Sequence, residues 1–260
     1  MNIQEALYIF EYICWILASV AVAYPLIYSL ASLGTRKSYY PNKQHKFAIL
    51  FPAYKEDRVI LPVVESFLQQ HYPQELYKVI VISDHMQETT NERLAQLPIT
   101  LLKANYENSS KAKALNFAMD HFERDEFDAV VILDADNIVD TNFLLEINKV
   151  FDAGVQAIQA HRTAKNRNTD IAVLDGLSEE VNNSIFRRGH VRLGISSALI
   201  GSGMIFNYQW FHDNVKHLVT TGEDKELEVL LLKQRIFIEF LDEVYVYDEK
   251  TQGEKGFYNQ

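Results

Sequence analysis

Residues 12–33 form a stretch of 22 residues without a charged side chain, and this stretch limits the folds open to the chain. A helix needs about 20 apolar residues to cross the hydrocarbon core of a bilayer. Trp15 lies near the start of the stretch and Tyr28 near its end, where interfacial aromatic residues are common. Pro25 is tolerated in membrane helices. We therefore predict one N-terminal transmembrane helix, within an anchor of residues 1–35.

A cleaved signal peptide or a buried core helix would show a similar apolar stretch. The preceding residues include Glu5 and Glu11 but no Lys or Arg, the opposite of a signal peptide. Basic residues follow the stretch: Arg36, Lys37, Lys43 and Lys46. The positive-inside rule then places the C-terminal side in the cytoplasm. We expect a membrane protein with a basic linker at residues 36–46.

The composition limits the function classes. A chain of 260 residues with 48% hydrophobic residues can bury the core of one large domain or two small ones. Its formal net charge of −10 argues against a general nucleic-acid binder. Cys14 is the single cysteine, which excludes a disulfide framework within the chain.

Beyond the linker, apolar stretches typical of strands alternate with segments of helical periodicity. The predicted strands are residues 47–51 (ended by Pro52), 79–82, 99–102, 130–133 and 155–160. The predicted helices are residues 57–70, 88–97, 109–122 and 141–151. Later residues are predicted as a helix at 170–188, an irregular stretch at 193–203, a helix at 225–233 and short strands at 236–240 and 244–247. This alternation indicates an α/β fold with a mostly parallel sheet flanked by helices.

Two carboxylates, Asp134 and Asp136, follow directly after the predicted strand at residues 130–133. Ligands of α/β sheets bind at the carboxyl ends of strands. Two neighbouring carboxylates both stay ionised most readily when a cation lies between them. A hard divalent metal that also binds a phosphate suits such oxygen ligands. A solvated acidic loop is the alternative interpretation.

Further motifs stand at the ends of the predicted elements: Phe51-Pro52-Ala53-Tyr54-Lys55-Glu56, Asp84, Lys111-Ala112-Lys113-Ala114-Leu115-Asn116 and Gly222-Glu223-Asp224. Together with Asp134-Ala135-Asp136, their order and spacing resemble the family-2 glycosyltransferases, the cellulose-synthase-like group with a GT-A (Rossmann-like) fold. The resemblance covers about residues 46–260. It implies a glycosyltransferase domain at residues 47–260, with a nucleotide-binding half at 47–136 and an acceptor-binding half at 137–260.

The resemblance also implies roles for individual residues. The nucleotide and donor would contact Pro52, Ala53, Tyr54, Glu56, Asp84, Lys111 and Asp134. A divalent metal, Mg²⁺ or Mn²⁺, would bind Asp136 and Asp134. The catalytic base would be Asp224, with Glu223 as the second choice, and the acceptor side would be the small-residue loop Gly201-Ser202-Gly203. Acidic residues also stabilise helix N-termini, so capping is the alternative role of Glu223 and Asp224.

The sequence departs from the family pattern at four places, among them Ser110, where many members have Gly, and Gly222, which replaces the residue often found before Glu-Asp. His85-Met86-Gln87 follow Asp84, where small polar residues are common in the family. The Gln-x-x-Arg-Trp motif of processive members is not present, and the chain ends at Gln260, about where that motif would begin. We therefore expect a domain truncated at its C-terminus. His161 and Arg162 are interpreted as ordinary surface residues.

Three functions are compatible with these features. The first is metal-dependent, inverting transfer from a nucleotide sugar, taken as a UDP-sugar, to a glycan or lipid-linked acceptor at the cytoplasmic membrane face. The second is transfer to a polyprenyl phosphate, where the acceptor is already ionised and needs no base. The third is a non-catalytic partner of other polysaccharide-synthesis or export subunits, against which the retained carboxylates argue.

Overall fold

The computed structural model describes residues 2–35 and 37–253. Arg36 of the predicted linker and residues 254–260 at the predicted C-terminal truncation lie outside these ranges. Within them, the strands are β1 (Phe47–Tyr54), β2 (Tyr77–Asp84), β3 (Thr100–Ala104), β4 (Ala129–Ile132), β5 (Ile138–Val139), β6 (Ala157–Ala164), β7 (Met204–Asn207) and β8 (Ile238–Asp248). The helices are α1 (Ile3–Ala31), α2 (Ile60–Phe67), α3 (Glu88–Leu94), α4 (Lys111–Met119), α5 (Phe143–Asp152), α6 (Asp170–Asn182), α7 (His190–Arg192), α8 (Tyr208–Asn214) and α9 (Glu223–Lys233). A π-helical segment, Asn183–Gly189, joins α6 to α7.

The described strands form one sheet in the order β3-β2-β1-β4-β7-β6-β8-β5. Strand β1 is parallel to both β2 and β4, β2 is parallel to β3, and β6 is parallel to β8. Strand β7 is antiparallel to its neighbours β4 and β6, and β5 is antiparallel to β8. The predicted α/β class is therefore confirmed, with a mixed sheet. Because β1, β2 and β4 run in one direction, their carboxyl ends meet at one edge.

Side chains of β1 alternate between two buried clusters, one on each face of the sheet. Phe47, Ile49 and Phe51 pack in the cluster that also contains residues of α2 and α5. Ala48 and Leu50 pack in the cluster that contains residues of α4, α8 and α9. Successive residues of a strand point to opposite faces, so an unbroken apolar stretch gives a strand buried on both sides.

Strand β1 does not end at Pro52, as predicted, but continues to Tyr54. The partner β4 ends at Ile132, which is paired with Leu50. The backbone nitrogen of Pro52 faces the β4 side of β1, but β4 has already ended at Ile132. The absence of an N–H at Pro52 therefore removes no hydrogen bond between the strands. On the other side, Pro52 is still paired with Ile82 of β2. A proline is tolerated where a strand has no partner on its N–H side.

Two predictions about element length are wrong. The predicted helix 57–70 is the shorter α2, and Gln70 lies outside it, where its side chain bonds Asp140 O at 2.7 Å and Leu144 N at 3.0 Å. The two predicted short strands at 236–240 and 244–247 are one strand, β8. Its pairing with β6 shifts after Leu241, so an irregularity absorbs residues 242–244 and the ladder resumes at Tyr245.

Helix α1 is long and apolar enough to cross a membrane, and none of its residues is buried in the domain. It is therefore not a core helix of this domain. Its last two turns pack against the π-helical segment and α7: Tyr24 Oη lies 2.9 Å from His190 Nε2. A Cβ at Gly189 would overlap the carbonyl group of Tyr28. Just after α1, Ser32 Oγ lies 3.0 Å from Ser184 Oγ.

The interpretation of His161 and Arg162 as surface residues is wrong, because β6 lies inside the sheet between β7 and β8. His161 is only 3% exposed, and its Nε2 lies 3.0 Å from a Glu180 oxygen. Burial lowers the pKa of His161, but its hydrogen bonds to Asp242 and the charge of Glu180 outweigh burial, so the pKa is raised. Arg162 Nε donates to Glu179 Oε1 at 2.8 Å.

Candidate active site

A cleft of about 480 Å³ opens at the sheet edge where β1, β2 and β4 end. This volume suits a small-molecule ligand. The residues that line it are Pro52, Ala53, Tyr54, Glu56, Asp84, Ser109, Ser110, Lys111, Ala114, Asp134, Ala135, Asp136, Asp248 and Glu249. The structure thus brings every predicted donor and metal residue into one cleft, although the predictions were spread over more than 80 positions of the chain.

The two loops that open the cleft turn at residues with left-handed backbone. Lys55 directly follows β1 with a φ of 58°, and His85 directly follows β2 with a φ of 55°. The Lys55 N–H donates to Asp84 O at 3.1 Å, which ties the two loops together. Residues other than glycine rarely adopt this conformation, and such strain is concentrated at functional sites.

An exposed aromatic ring and a buried carboxylate stand side by side at these loops. Tyr54 is exposed, and its ring centroid lies 5.7 Å from that of His85. Asp84 is buried; its Oδ1 lies 2.6 Å from His85 Nδ1 and accepts the Tyr106 N–H at 3.4 Å. His85 is therefore an integral part of the Asp84 site, which the departure from the family pattern at residues 85–87 did not predict.

Lys111, the first residue of α4, lies at the centre of the cleft. The Ser110 hydroxyl caps this helix by accepting the Lys113 N–H at 3.2 Å, as the sequence predicts for residues 109–110. The Lys111 ammonium forms an ion pair with Asp134 and donates to Gly201 O at 2.7 Å. The Lys111 ammonium thus connects the Asp134-Ala135-Asp136 motif, the small-residue loop and Glu223, whose carboxylate lies 3.7 Å away.

Asp136 is a carboxylate in an unfavourable electrostatic environment. Burial and then the charges of Asp248 and Asp134 raise its pKa to about 6. The neutral Asn137 amide donates to Asp136 Oδ1 at 3.1 Å and to Asp248 Oδ1 at 3.0 Å, so it bridges the two carboxylates. Among the described residues, no cationic side chain is hydrogen-bonded to the Asp136 carboxylate.

The carboxylates of Asp134 and Asp136 fit a divalent cation that takes its remaining ligands from a substrate. Mg²⁺ typically binds one or two protein carboxylates together with substrate phosphates and water. Within the described residues, no group of three or more His, Cys, Asp or Glu side chains could hold a metal alone. Asp134 already forms an ion pair with Lys111. A bound cation would therefore stabilise the ionised form of Asp136 more than that of Asp134.

The small-residue loop lies behind the metal motif. The Ser202 hydroxyl is hydrogen-bonded to Asn137 and accepts the Asp134 N–H at 3.2 Å. Gly203 has a φ of 66°, and a Cβ there would lie 2.9 Å from a Val246 methyl group. Ser202 and Gly203 are therefore packed inside the protein, whereas the Gly201 carbonyl reaches Lys111. The glycine at position 203 is required by both its backbone conformation and its close packing.

The two predicted catalytic carboxylates occupy different environments at the start of α9. Glu223 is buried beside Lys111, and burial raises its pKa although the Lys111 charge opposes the shift. Asp224 is half-buried, and its Oδ1 accepts the Lys225 N–H at 2.9 Å. Neither Glu223 nor Asp224 is among the residues that line the cleft, but Glu223 Oε1 lies 3.7 Å from Lys111 Nζ. Glu223 is therefore the member of the pair that the structure brings into contact with the cleft residues.

Asp248 is a cleft residue that the sequence analysis missed. It ends β8, and Lys250 Nζ donates to its Oδ2 at 2.9 Å. Lys250 is buried and also paired with Glu179, while Arg162 Nε lies 3.8 Å from Asp248 Oδ2. A carboxylate at the end of the last predicted strand was a usable signal, but its proximity to Asp136 depends on the pairing of β8 with β5, in which Ile138 lies opposite Tyr247.

A sequence-family comparison decides the class of protein to which this cleft belongs. A family model described as glycosyltransferase-like family 2 matches residues 44–260. The chain belongs to this family. The predicted family and the enzyme class, a glycosyltransferase, are therefore confirmed. A search of curated protein sequences finds no significant match.

Solved structures of glycosyltransferases share the fold of this family-2 chain. The mannosyltransferase PcManGT from Pyrobaculum calidifontis, solved with GDP-Man and Mn²⁺, matches with a TM-score of 0.68 and 16% identity over 95% of this chain and 71% of its own. S. aureus TarS 1–349, solved with UDP-GlcNAc, matches with a TM-score of 0.56 and 18% identity over 80% of this chain and 60% of its own. The predicted GT-A fold is therefore confirmed. This chain spans less than two thirds of the TarS fragment.

Proposed function

We propose that this family-2 member transfers a sugar from a nucleotide-sugar donor, which we take to be a UDP-sugar, to a glycan or lipid-linked acceptor with inversion at the anomeric carbon. The observation that carries the proposal is the cleft itself, which combines the cation of Lys111, the half-buried carboxylate of Asp136 and the exposed ring of Tyr54. Structural relatives that hold GDP-Man with Mn²⁺ or UDP-GlcNAc support it.

Each end of the donor has suitable partners in the cleft. The exposed face of Tyr54 offers a stacking surface for the nucleobase, and Asp84 beside it offers a hydrogen-bond acceptor for the nucleoside. Lys111 offers a positive charge to the diphosphate. Asp136, with Asp134, would hold Mg²⁺ or Mn²⁺. A bound divalent ion would neutralise the charge that develops on the leaving diphosphate.

The transfer step also needs a group that accepts the proton of the acceptor hydroxyl. The acceptor oxygen bonds to the anomeric carbon while the bond to the diphosphate oxygen breaks, and a carboxylate takes the proton. We assign this role to Asp224, because the N-terminus of α9 favours its ionised form. Glu223 is the competing choice, because it lies 3.7 Å from Lys111.

The same proposal covers the placement of the molecule. Residues 1–35 would anchor the chain through α1, residues 36–46 would be a basic linker, and residues 47–260 would be the glycosyltransferase domain at the cytoplasmic face. The unburied apolar helix α1 and the basic residues Lys37, Lys43 and Lys46 support this arrangement. Other polysaccharide-synthesis subunits are candidate partners.

The test is a thermal-shift comparison of the full chain in detergent. UDP-glucose, UDP-GlcNAc and GDP-mannose are added separately, each with Mn²⁺ or with a chelator. A ligand at 100 times its Kd stabilises the folded state by about 2.7 kcal/mol. We expect one donor to raise the Tm, and only when metal is present. Absence of a shift with every donor would refute donor binding, and a shift without release of nucleotide in an acceptor assay would favour a non-catalytic role.

A further inference from the structure

Helix α6 exposes an apolar face to the outside of the domain. We define this apolar face as Val173, Leu174, Leu177, Val181 and Phe186, which recur at helical spacing along α6 and the π-helical segment. Leu174 is 61% exposed and Leu177 57% exposed. Single exposed apolar residues are common on protein surfaces, but a continuous stripe marks an interaction surface.

Two polar residues, Glu179 of α6 and Asn183 of the π-helical segment, point inward. Glu179 is 7% exposed, accepts a hydrogen bond from Arg162 and pairs with Lys250. Asn183 is buried, and its amide donates to Arg162 O at 2.9 Å. A helix on the surface of a water-soluble domain has the opposite arrangement, with apolar side chains inward and charges in water. The inverted helix indicates that its outer face meets an apolar medium.

The position of α1 identifies this medium. The last two turns of α1 and the residue after them pack beside the π-helical segment and α7, through the contacts of Ser32 with Ser184 and of Tyr24 with His190. These contacts begin near the middle of the uncharged stretch 12–33, at Tyr24, and extend to Ser32 near its end, over about 12 Å of helix rise. If α1 crosses the bilayer, the neighbouring π-helical segment lies at the depth of one membrane surface.

We propose that the apolar face lies in the interfacial layer of the bilayer, so that α6 is a second membrane contact beside α1. Amphipathic helices bind bilayers with their apolar face about 5–10 Å below the headgroup boundary. Leu193 and Ile195 are also exposed and extend the apolar surface beyond α7. The proposal rests on the insertion of α1, which is part of the proposed function.

A bilayer accounts for the surface better than a second copy of the chain. A protein partner would have to cover α6 while the adjoining turns of α1 remain surrounded by lipid. In addition, Arg187 and Arg188 are engaged within the protein, with Asn183 and Asp242 respectively, so the surface is predominantly apolar. An apolar surface without a regular set of charges suits lipid rather than a specific protein.

The experiment places a fluorescent label at single cysteines of the full chain in phosphatidylcholine vesicles. Cys14, the native cysteine in α1, reports insertion of the anchor. In the Cys14→Ser background, Leu177→Cys and Leu174→Cys report the apolar face. Thr89→Cys is the matched control, because Thr89 is also exposed but lies on α3, near β2 and far from α6 in the sheet order. Lipids with a nitroxide near the headgroup quench labels that reach the interface.

We expect quenching at Leu177→Cys and Leu174→Cys to exceed that at Thr89→Cys by at least about threefold, because an interfacial helix lies within the quencher layer. Equal quenching at all three positions, with Cys14 inserted, overturns the proposal and leaves the anchor intact. A label at Cys14 that is not quenched by lipids with a deep nitroxide overturns both. Blue-shifted but unquenched labels on α6 show that protein covers the face, which also overturns the proposal.

Discussion

Asp136 is half-buried next to two other carboxylates, and its charge is tolerated in the structure at a cost to stability. Burial and the charges of Asp248 and Asp134 both disfavour its ionised form. An ionised group that destabilises the free protein, but is stabilised when a ligand binds beside it, is typical of a binding site.

The Asp136→Asn variant separates these two effects. We expect the Tm of the free protein to stay the same or rise, because a half-buried charge beside other carboxylates is removed. We also expect the Mn²⁺-dependent rise in Tm on addition of donor to disappear. Asp140→Asn is the matched control, because Asp140 is exposed and lies four residues further along the chain, directly after β5. Wild-type donor stabilisation in the Asp136→Asn variant would rule out Asp136 as a metal ligand.

Asp224→Asn tests the catalytic base. Asp224 is the second residue of α9, whose N-cap is Gly222 without a side-chain cap, so we expect the Tm and the donor affinity to be nearly unchanged. Loss of a general base lowers turnover by about a hundredfold or more. The comparison variant is Glu223→Gln: a larger loss of turnover there, with Asp224→Asn active, would transfer the role to Glu223. If both variants are fully active, the acceptor needs no base, as a polyprenyl phosphate would not.

His161 predicts a pH dependence of stability. Its folded-state pKa is raised, since Asp242 and Glu180 outweigh the effect of burial, and the charge of Arg188 lies close to Asp242. The stabilising contribution is therefore fully present below the ordinary pKa of 6.5 and is lost as the pH rises through the raised value. We expect the Tm to fall over this range and the fall to be smaller in His161→Gln, as measured by melting at a series of pH values.

At the scale of elements, Gly203 directly precedes β7 and packs closely against Ala160 of β6 and Val246 of β8. Gly203→Ala should lower the free energy of unfolding by about 1–3 kcal/mol, because the new methyl group would press on Val246 and Ala160. Gly154→Ala is the control: Gly154 also has a positive φ, but no atom lies within 4 Å of the added Cβ. Equal losses in urea unfolding would show that backbone strain alone is responsible.

The sequence predicted the elements that have a strong local pattern. Strands β1, β2 and β4 are apolar stretches buried on both faces, so their existence and the cleft at their ends could be predicted from residue order. Strand β7 was missed because its four residues form a strand only between β4 and β6. Strand β8 was predicted as two strands because Asp242 and Glu243 interrupt its apolar pattern at the irregularity.

Long-range pairing explains the missed site residues as well. Asp248 reaches Asp136 only through the sheet, and no spacing in the sequence predicts this. The inverted orientation of α6 was also hidden, because an amphipathic pattern does not show which face is turned inward. Glu179 was not singled out, although its contacts with Arg162 and Lys250 determine that orientation.

At the scale of the whole molecule, the cleft and the anchor are separate parts. No residue that lines the cleft belongs to α1. A variant without residues 1–35 should therefore keep metal-dependent donor binding, which thermal shift would measure. Through the apolar face it should still sediment in part with vesicles, and Leu174→Glu with Leu177→Glu should reduce this fraction. Loss of donor binding on deletion would show that the anchor supports the fold of the cleft.

Gly189 determines how the anchor and the domain move together. Its bare backbone lies against the backbone of Tyr28, and Tyr39 of the linker is hydrogen-bonded to Glu239 at 3.0 Å. With α1 inserted as proposed, the domain cannot swing on a loose tether, since it is attached both by the chain and by this contact. The cleft would then stand at a fixed height and angle above the bilayer. The reach of an acceptor from the membrane, and not only its chemistry, would decide whether it is glycosylated.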